Sequence, residues 1–432
     1  MCTLAVGAFL SGCAPGSALR EAVRPSSPYE RYARSLRDAG LHETALGRDW
    51  LAAGDDVLAH ATPIDLPLRE TGYLSPAEPA ARAWRFGLAQ GRRLVVDVET
   101  IAADPTRMYL DLFEQRGDPP ELHRVASAGQ DAARLEFEPE RDGTFVLRLQ
   151  PELLRGGRFT LTETTMATLM FPIEGREGHD IASSFGDPRG GRAHEGIDIF
   201  APRGTRVIAA AEGRVSSVDT NNLGGNVVWI RTSNGHSHYY AHLDERLVGS
   251  GTDVQAGEPI GTVGNTGNAR TTAPHLHFGI YRRGSGAVDP FPFVYTASAP
   301  PAPVTADIDA LGSWRRVATG TARLRAAPVQ TAPIVRDLPQ HTVVRVDGAV
   351  RDWYRVQLPD GTSGFVSGRL TESTSQPVRT TQAAPAGPLL DRPIVTAAPV
   401  ADLEARPLRV LGRFGDFLFV RTTDGREGWI PL

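Results

Sequence analysis

His194-Glu195-Gly196-Ile197-Asp198 sets an imidazole and a carboxylate four residues apart on a segment that reads as strand or turn. Gly196 and the β-branched Ile197 are poor helix formers, and Gly191 and Pro202 close in on both sides. On a strand, His194 and Asp198 point the same way. Extended at about 3.3 Å per residue they stand roughly 13 Å apart, so a bend at Gly196 is needed for both to reach one metal. Downstream, His275-Leu276-His277 puts two imidazoles on one face of a second strand, whose flanks Leu276, Phe278 and Ile280 are apolar in alternation. By spacing alone, either or both of these histidines can be ligands. A third strand follows the Asn234-Gly235 turn and sets His238, Tyr240 and His242 on one face. Imidazole and carboxylate are ligands that zinc accepts, and three of them plus a water make a catalytic site. Seven of the eleven histidines fall between His179 and His277, a clustering that argues against chance. His179 and His236 read as surface residues, and His238 as a solvated strand histidine.

The run from about Phe171 to Tyr295 resembles the catalytic domain of the M23 family of zinc metallopeptidases, which includes lysostaphin-like and LytM-like peptidoglycan endopeptidases. The residues that carry the likeness are Phe185-Gly186, Arg192-x-His194-x-Gly196-Ile197-Asp198, Tyr240-Ala241-His242-Leu243, Gly261-x-x-Gly264-x-x-Gly267, His275-Leu276-His277-Phe278 and Asp289-Pro290. The resemblance implies one catalytic Zn2+ held by His194, Asp198 and His277, with His242 and His275 as catalytic histidines off the metal. It thus moves His275, a ligand candidate by spacing, to proton handling. No His-Glu-x-x-His helix supplies a glutamate base, so the two free histidines are the available proton carriers. Which of them performs which step is open. The glycines from Gly261 to Gly267 lack the Lys-Ser/Thr of a phosphate-binding loop and read as turn glycines.

Length and composition bound the rest. A chain of 432 residues holds roughly three or four domains. A net charge of −4 and the absence of any basic run exclude nucleic acid as an expected partner. Every one of the 46 basic residues is arginine, a compositional bias of no evident binding use. Near the start, Leu10-Ser11-Gly12-Cys13 closes a short apolar stretch that cannot span a bilayer as a helix. It resembles a bacterial lipoprotein signal with Cys13 as the lipidated residue, although no Arg or Lys precedes the apolar run. Cys2 and Cys13 are the only cysteines, so the mature domains have no disulfide pair. The expectation is an exported protein, lipid-anchored to the cell envelope at a periplasm-facing outer membrane, with peptidoglycan as partner. Nothing in the sequence sets an oligomeric state.

The expected fold is mainly β and multidomain. Residues 1–13 form the signal and 14–28 a tether. Residues 29–71 form a helical segment, since Tyr32, Leu36 and Ala39, then Leu41, Ala45, Leu46 and Trp50, recur at helical spacing around Gly40. Residues 72–165 alternate as a β-sandwich, through Trp84-Phe86-Leu88, Leu94-Val96-Val98, Leu135-Phe137, Phe145-Leu147-Leu149 and Phe159-Leu161. The M23-like β-sheet domain covers 171–296, followed by a linker at 297–312. Two small SH3-like barrels at 313–372 and 389–432 flank a second linker at 373–388. They are copies of one unit. Val344-Arg345-Val346-Asp347-Gly348 recurs as Leu408-Arg409-Val410-Leu411-Gly412, and Asp360-Gly361, Gly364 and Phe365 recur as Asp424-Gly425, Gly428 and Trp429, at an offset of 64 throughout. Trp353 and Trp429 read as barrel core in preference to ligand platforms.

Together these features imply a lipid-anchored zinc endopeptidase that cuts peptide cross-links in peptidoglycan. The bond is open between a D-Ala to diaminopimelate link and a glycine bridge. The alternative is a non-hydrolytic M23-like lipoprotein that binds and activates a cell-wall amidase. The ligand positions of such proteins are typically degenerate, whereas all are present here.

Overall fold

The computed structural model describes residues 25–284, 286–295, 300–381, 387–404 and 406–432. Cys13 and the expected signal lie outside them.

The helical hairpin forms where its periodicity predicts. Pro28–Asp38 opens on a capping box, in which Ser27 Oγ accepts from the Glu30 amide and the Glu30 carboxylate accepts from the Ser27 amide. A turn at Gly40 leads to the second helix, Ala45–Ala59. Tyr29, Tyr32 and Trp50 pack against Tyr109 of the following β-domain. The Trp50 indole donates to the Pro151 carbonyl at 2.8 Å, and Gln150 donates back to the Trp50 carbonyl at 2.8 Å. Buried Arg148 pairs with Asp111 at 2.6 Å and lies 3.5 Å from the centre of the Tyr29 ring. The hairpin is therefore a cover over one sheet of the sandwich.

Two sheets face each other in that sandwich. One holds Arg82–Leu88, Gly143–Pro151, Met108–Arg116 and Glu121–Ser127, with Thr62–Pro63 at its edge. The other holds Leu68–Leu74, Gly157–Ala167, Arg92–Ile101 and Arg134–Phe137. The apolar residues predicted by alternation, from Trp84 to Leu161, fill the space between them. The strand Leu68–Leu74 begins before the expected start of the sandwich, and it is the strand through which the domains join.

Val343–Val350, a strand of the first SH3-like copy, pairs with Leu68–Leu74 through Thr71↔Ala349 and Gly72↔Gly348. The sandwich sheet thereby continues into that copy as one eleven-stranded sheet. This corrects the expectation of two small barrels: among the described residues neither copy closes on itself. In the first copy, edge hydrogen bonds go outward to the sandwich. The second is a six-stranded sheet whose Leu411, Phe419 and Trp429 pack on Val343 and Trp314 of the first. Trp429 is buried in this contact, and Trp353 in the core that the first copy shares with the sandwich.

An ion pair fastens the joint. Arg355 reaches Glu70 with two hydrogen bonds of 2.6 and 2.8 Å, and Glu70 also accepts from the Trp84 indole at 2.7 Å. Burial alone would raise the Glu70 carboxyl, but Arg355 holds it below its ordinary value. Among the described residues, Glu163 beside it has no hydrogen-bond partner on either oxygen. Burial, and then the charge of Glu70, push Glu163 well above the usual glutamate range.

The peptidase-like sheet runs in the order Ile181–Ser183, Ile197–Phe200, His275–Arg282, His236–Arg246, Gly225–Arg231, Gly213–Asn221, Asp253–Val254. Ile197, Ile199, Tyr240, Leu276, Phe278 and Ile280 point into its core. Their neighbours in the alternation therefore point to the opposite face.

Two stability measurements probe the joint. Arg355→Ala strands a buried carboxylate and should cost about 3–5 kcal/mol, read as an earlier urea midpoint, while Glu70→Leu combined with Arg355→Met should recover most of it. Glu163 keeps its proton in the folded state to a higher pH than in the unfolded chain. Its contribution therefore declines as pH rises above the ordinary value of 4.5 towards the raised one. Glu163→Gln should flatten this decline, with a gain over wild type at about pH 8 that shrinks at about pH 5.

Candidate metal centre

Strand register assembles the centre. Ile197–Phe200 pairs with His275–Arg282 so that Asp198 stands opposite His277, and Ala241 of the next strand flanks His277 on the other side. The chain bends at Gly196, as the spacing requires. A Cβ there would lie 2.7 Å from His277 Cε1 and 2.5 Å from the Phe278 carbonyl, so only glycine fits. The bend returns His194 to the face of Asp198. His194 Nε2 lies 2.9 Å from His277 Nδ1 and 3.1 Å from Asp198 Oδ1, and His277 Nδ1 lies 3.0 Å from the same oxygen.

These three donor atoms form a nearly equilateral triangle. Ligands at about 2.0–2.1 Å from a tetrahedral zinc stand about 3.3 Å apart, so the triangle fits with small outward adjustments. The surroundings fit too. His194 Nδ1 donates to the Ser184 carbonyl at 2.9 Å, which leaves Nε2 as the free lone pair. Arg189 donates to Asp198 Oδ2 at 2.5 Å and to Ser183 Oγ at 2.6 Å, so Oδ1 is the oxygen left for a cation. Burial would raise the Asp198 carboxyl, but hydrogen bonds and charge from His194 and His277 bring it far down. Burial would likewise lower His194, and Asp198 more than offsets it, so His194 titrates above its ordinary value.

His242 reaches the same groove by a different device. Between the pairs Val228↔Tyr240 and Asn226↔Leu243 the register slips, and Ala241 and His242 together oppose Val227. His242 takes a φ of 62°, a left-handed conformation that costs a non-glycine residue about 1–3 kcal/mol. This corrects the expectation that His238, Tyr240 and His242 share a face. His238 and Tyr240 turn into the core and are fully buried, whereas His242 lines the groove. The solvated reading of His238 is overturned as well: its ring packs edge-on against Phe278, neither nitrogen has a hydrogen-bond partner among the described residues, and burial lowers it to about 4. His179 is exposed as expected, while His236 is half-buried against Phe293.

His242 Nδ1 donates to the Thr266 carbonyl and His275 Nδ1 to the Ala273 carbonyl, each at 2.9 Å. In the neutral form of either ring the proton therefore sits on Nδ1 and the lone pair on Nε2. The ring centres stand 4.9 Å apart. Burial, and then the nearby His275, lower His242 to about 4, so it is neutral at physiological pH.

The groove has a volume of about 490 Å³. Arg189, Tyr239 and Tyr281, which no sequence motif singled out, line it. Tyr239 and Tyr281 both pack on Trp229, at 4.4 and 5.2 Å between ring centres. A signal for Arg189 existed: Gly190-Gly191 is a two-residue hairpin turn, with φ of 54° and 91°, that pairs Arg189 with Arg192 and folds it back over Asp198.

Residues 192–290 match the model of Peptidase family M23, and residues 320–372 match that of the bacterial SH3 domain. The chain carries an M23 peptidase domain. The chain is 47% identical over 87 residues to the peptidoglycan DD-endopeptidase ShyC of Vibrio cholerae, over 20% of this chain and 20% of that protein. It is 35% identical over 134 residues to the murein hydrolase activator NlpD of Escherichia coli, over 31% of this chain and 33% of that protein. The chain thus spans a fifth to a third of these two relatives. Among solved structures, the catalytic domain of lysostaphin from Staphylococcus simulans is 38% identical, with a TM-score of 0.25, over 26% of this chain and 89% of that one.

If Arg189 orients Asp198 in the M23 domain, Arg189→Ala should weaken zinc binding by about 10–100-fold, and His194→Ala should weaken it further. Competition against a chromophoric chelator measures both.

Proposed function

We propose that the protein is a zinc metalloendopeptidase that hydrolyses peptide cross-links of bacterial peptidoglycan. The observation that carries this reading is the convergence of a complete donor triangle, His194, Asp198 and His277, with two further histidines in the same groove. A zinc ion held by the triangle would supply an activated water and polarise the scissile carbonyl.

The chain's own groups do the rest. Of His242 and His275, one would take a proton from the attacking water on its Nε2 lone pair and return it to the leaving amine, and the other would support the tetrahedral intermediate as an Nε2–H donor. Their Nδ1 hydrogen bonds to backbone carbonyls fix each ring's orientation. The groove wall of Tyr239 and Tyr281, on which Trp229 packs, offers an extended peptide a flat, partly apolar surface. Export through a lipidated Cys13, with a periplasm-facing outer-membrane location, accompanies this proposal. No helix among the described residues is long and apolar enough to cross a membrane.

The likeness to an activator of murein hydrolases favours a second reading, a non-hydrolytic protein that stimulates a wall amidase. The intact donor set weighs against it.

The two readings separate in one assay. Purified protein loaded with zinc should release new amino termini from cross-linked sacculi. His194→Ala should lose both zinc and activity. His242→Ala should keep its zinc and lose about 10²–10⁴-fold in rate. Zinc-loaded wild-type protein that releases no amino termini, yet raises the rate of an added amidase, would establish the activator instead.

A further inference from the structure

The groove of the metal centre holds two charges that the centre itself does not use. Of the Arg, Asp and Glu side chains that line it, Arg189 and Asp198 bond to each other. Arg192 and Glu195 line it too, and both are exposed. Among the described residues neither has a charged partner, and the Arg192 guanidinium makes no hydrogen bond. Glu195 accepts from the Tyr281 hydroxyl, at 3.2 Å on Oε2, and its Oε1 accepts nothing among the described residues.

Both charges are held in place from behind. Arg192 lies on the strand Arg192–Ala193, which pairs with Pro188–Arg189 across the Gly190-Gly191 turn. Glu195 directly follows His194, and Tyr281 steers its Oε2. The Tyr281 ring packs on Trp229 at 5.2 Å and on Tyr239 at 6.3 Å between ring centres. Three residues apart at about 3.3 Å each, the Cα atoms of Arg192 and Glu195 stand at most about 10 Å from each other. A guanidinium and a carboxylate so spaced, and not joined in an ion pair, fit a group that carries the two opposite charges side by side. The guanidinium takes a carboxylate in two parallel hydrogen bonds, and an ammonium donates to Glu195 Oε1. A glycine bridge offers neither charge. In a D-Ala to diaminopimelate cross-link, the diaminopimelate before the scissile D-Ala carbonyl ends its side chain in both.

On the endopeptidase reading, on which this step rests, we infer that Arg192 and Glu195 determine specificity: together they recognise, on the residue before the scissile D-Ala, a side chain that ends in a free carboxylate and a free ammonium. Cross-links in which either charge is masked are then poorer ligands of the groove, although the bond to be cut is the same.

The test is calorimetric titration of the zinc-loaded full chain, with His242→Ala as parent so that no turnover intervenes. The ligands are a purified disaccharide-tetrapeptide dimer joined by a D-Ala to diaminopimelate bond, the same dimer acetylated on its free amine, and the same dimer amidated on its carboxylates. Acetylation should weaken binding to the parent about tenfold, and Glu195→Gln should weaken binding of the free dimer by a similar factor. In Glu195→Gln, acetylation should then cost less than about twofold, because the ammonium has already lost its partner. Arg192→Gln should likewise bind the free dimer more weakly and lose less on amidation than the parent does. Zinc affinity should be unchanged in both variants, since neither side chain touches a donor atom of the triangle. A dimer that does not bind, variants that bind it as the parent does, or an acetylation penalty that persists in Glu195→Gln overturns the inference. Cleavage of the free dimer by the wild-type chain reads the endopeptidase proposal separately. Cleavage with a persisting penalty sinks the specificity assignment alone, and the expected binding pattern without cleavage sinks the hydrolase alone.

Discussion

The pairing of Asp198 with His277 across two antiparallel strands is the constraint on which the centre depends. Strand side chains alternate, so a slip of one residue would send Asp198 into the core and an isoleucine into the groove. The register is protected by what lies on the other face: Ile197, Ile199, Leu276 and Phe278 are all fully buried. Apolar packing thereby specifies the position of a polar site that it does not touch. Gly196 then lets the chain turn hard against the His277 ring and bring His194 to the same point.

His242 shows the converse. Regular pairing would bury it beside Tyr240, and a bulge with a left-handed residue re-aims it at the groove. The strain is tolerated because the strand is anchored on both sides by buried partners. Arg189 completes the arrangement from an exposed hairpin by occupying the Asp198 oxygen that faces away from the triangle. Three unrelated local devices, a glycine bend, a bulge and a two-glycine turn, thus converge on one set of donors.

The other domains are joined by the same kind of bond. A strand of the first SH3-like copy extends the sandwich sheet, and the Arg355 to Glu70 pair lies within that joint. Such a pair contributes little net stability relative to apolar residues, but it disfavours any packing that leaves either charge alone. The helical hairpin closes the other sheet with Trp50 and the tyrosines around it. The first SH3-like copy is therefore a docked unit, not a free tether.

Much of this is local and therefore legible in the chain itself. Period-2 alternation marked the sandwich strands, the 64-residue offset marked the repeat, and helical spacing with Gly40 marked the hairpin. His194, Asp198 and His277 were visible because metal ligation demands particular residue types, and because the motifs around them resemble a known family. What the sequence alone determined is the set of elements and the chemical character of the centre, since both arise from neighbours along the chain. Tertiary structure alone decided that His238 is buried while His242 faces the groove, that Arg189 serves Asp198, and that the first SH3-like copy fuses with the sandwich. Each depends on which strands pair and in what register. That is a property of contacts distant in sequence, and no local pattern carries it.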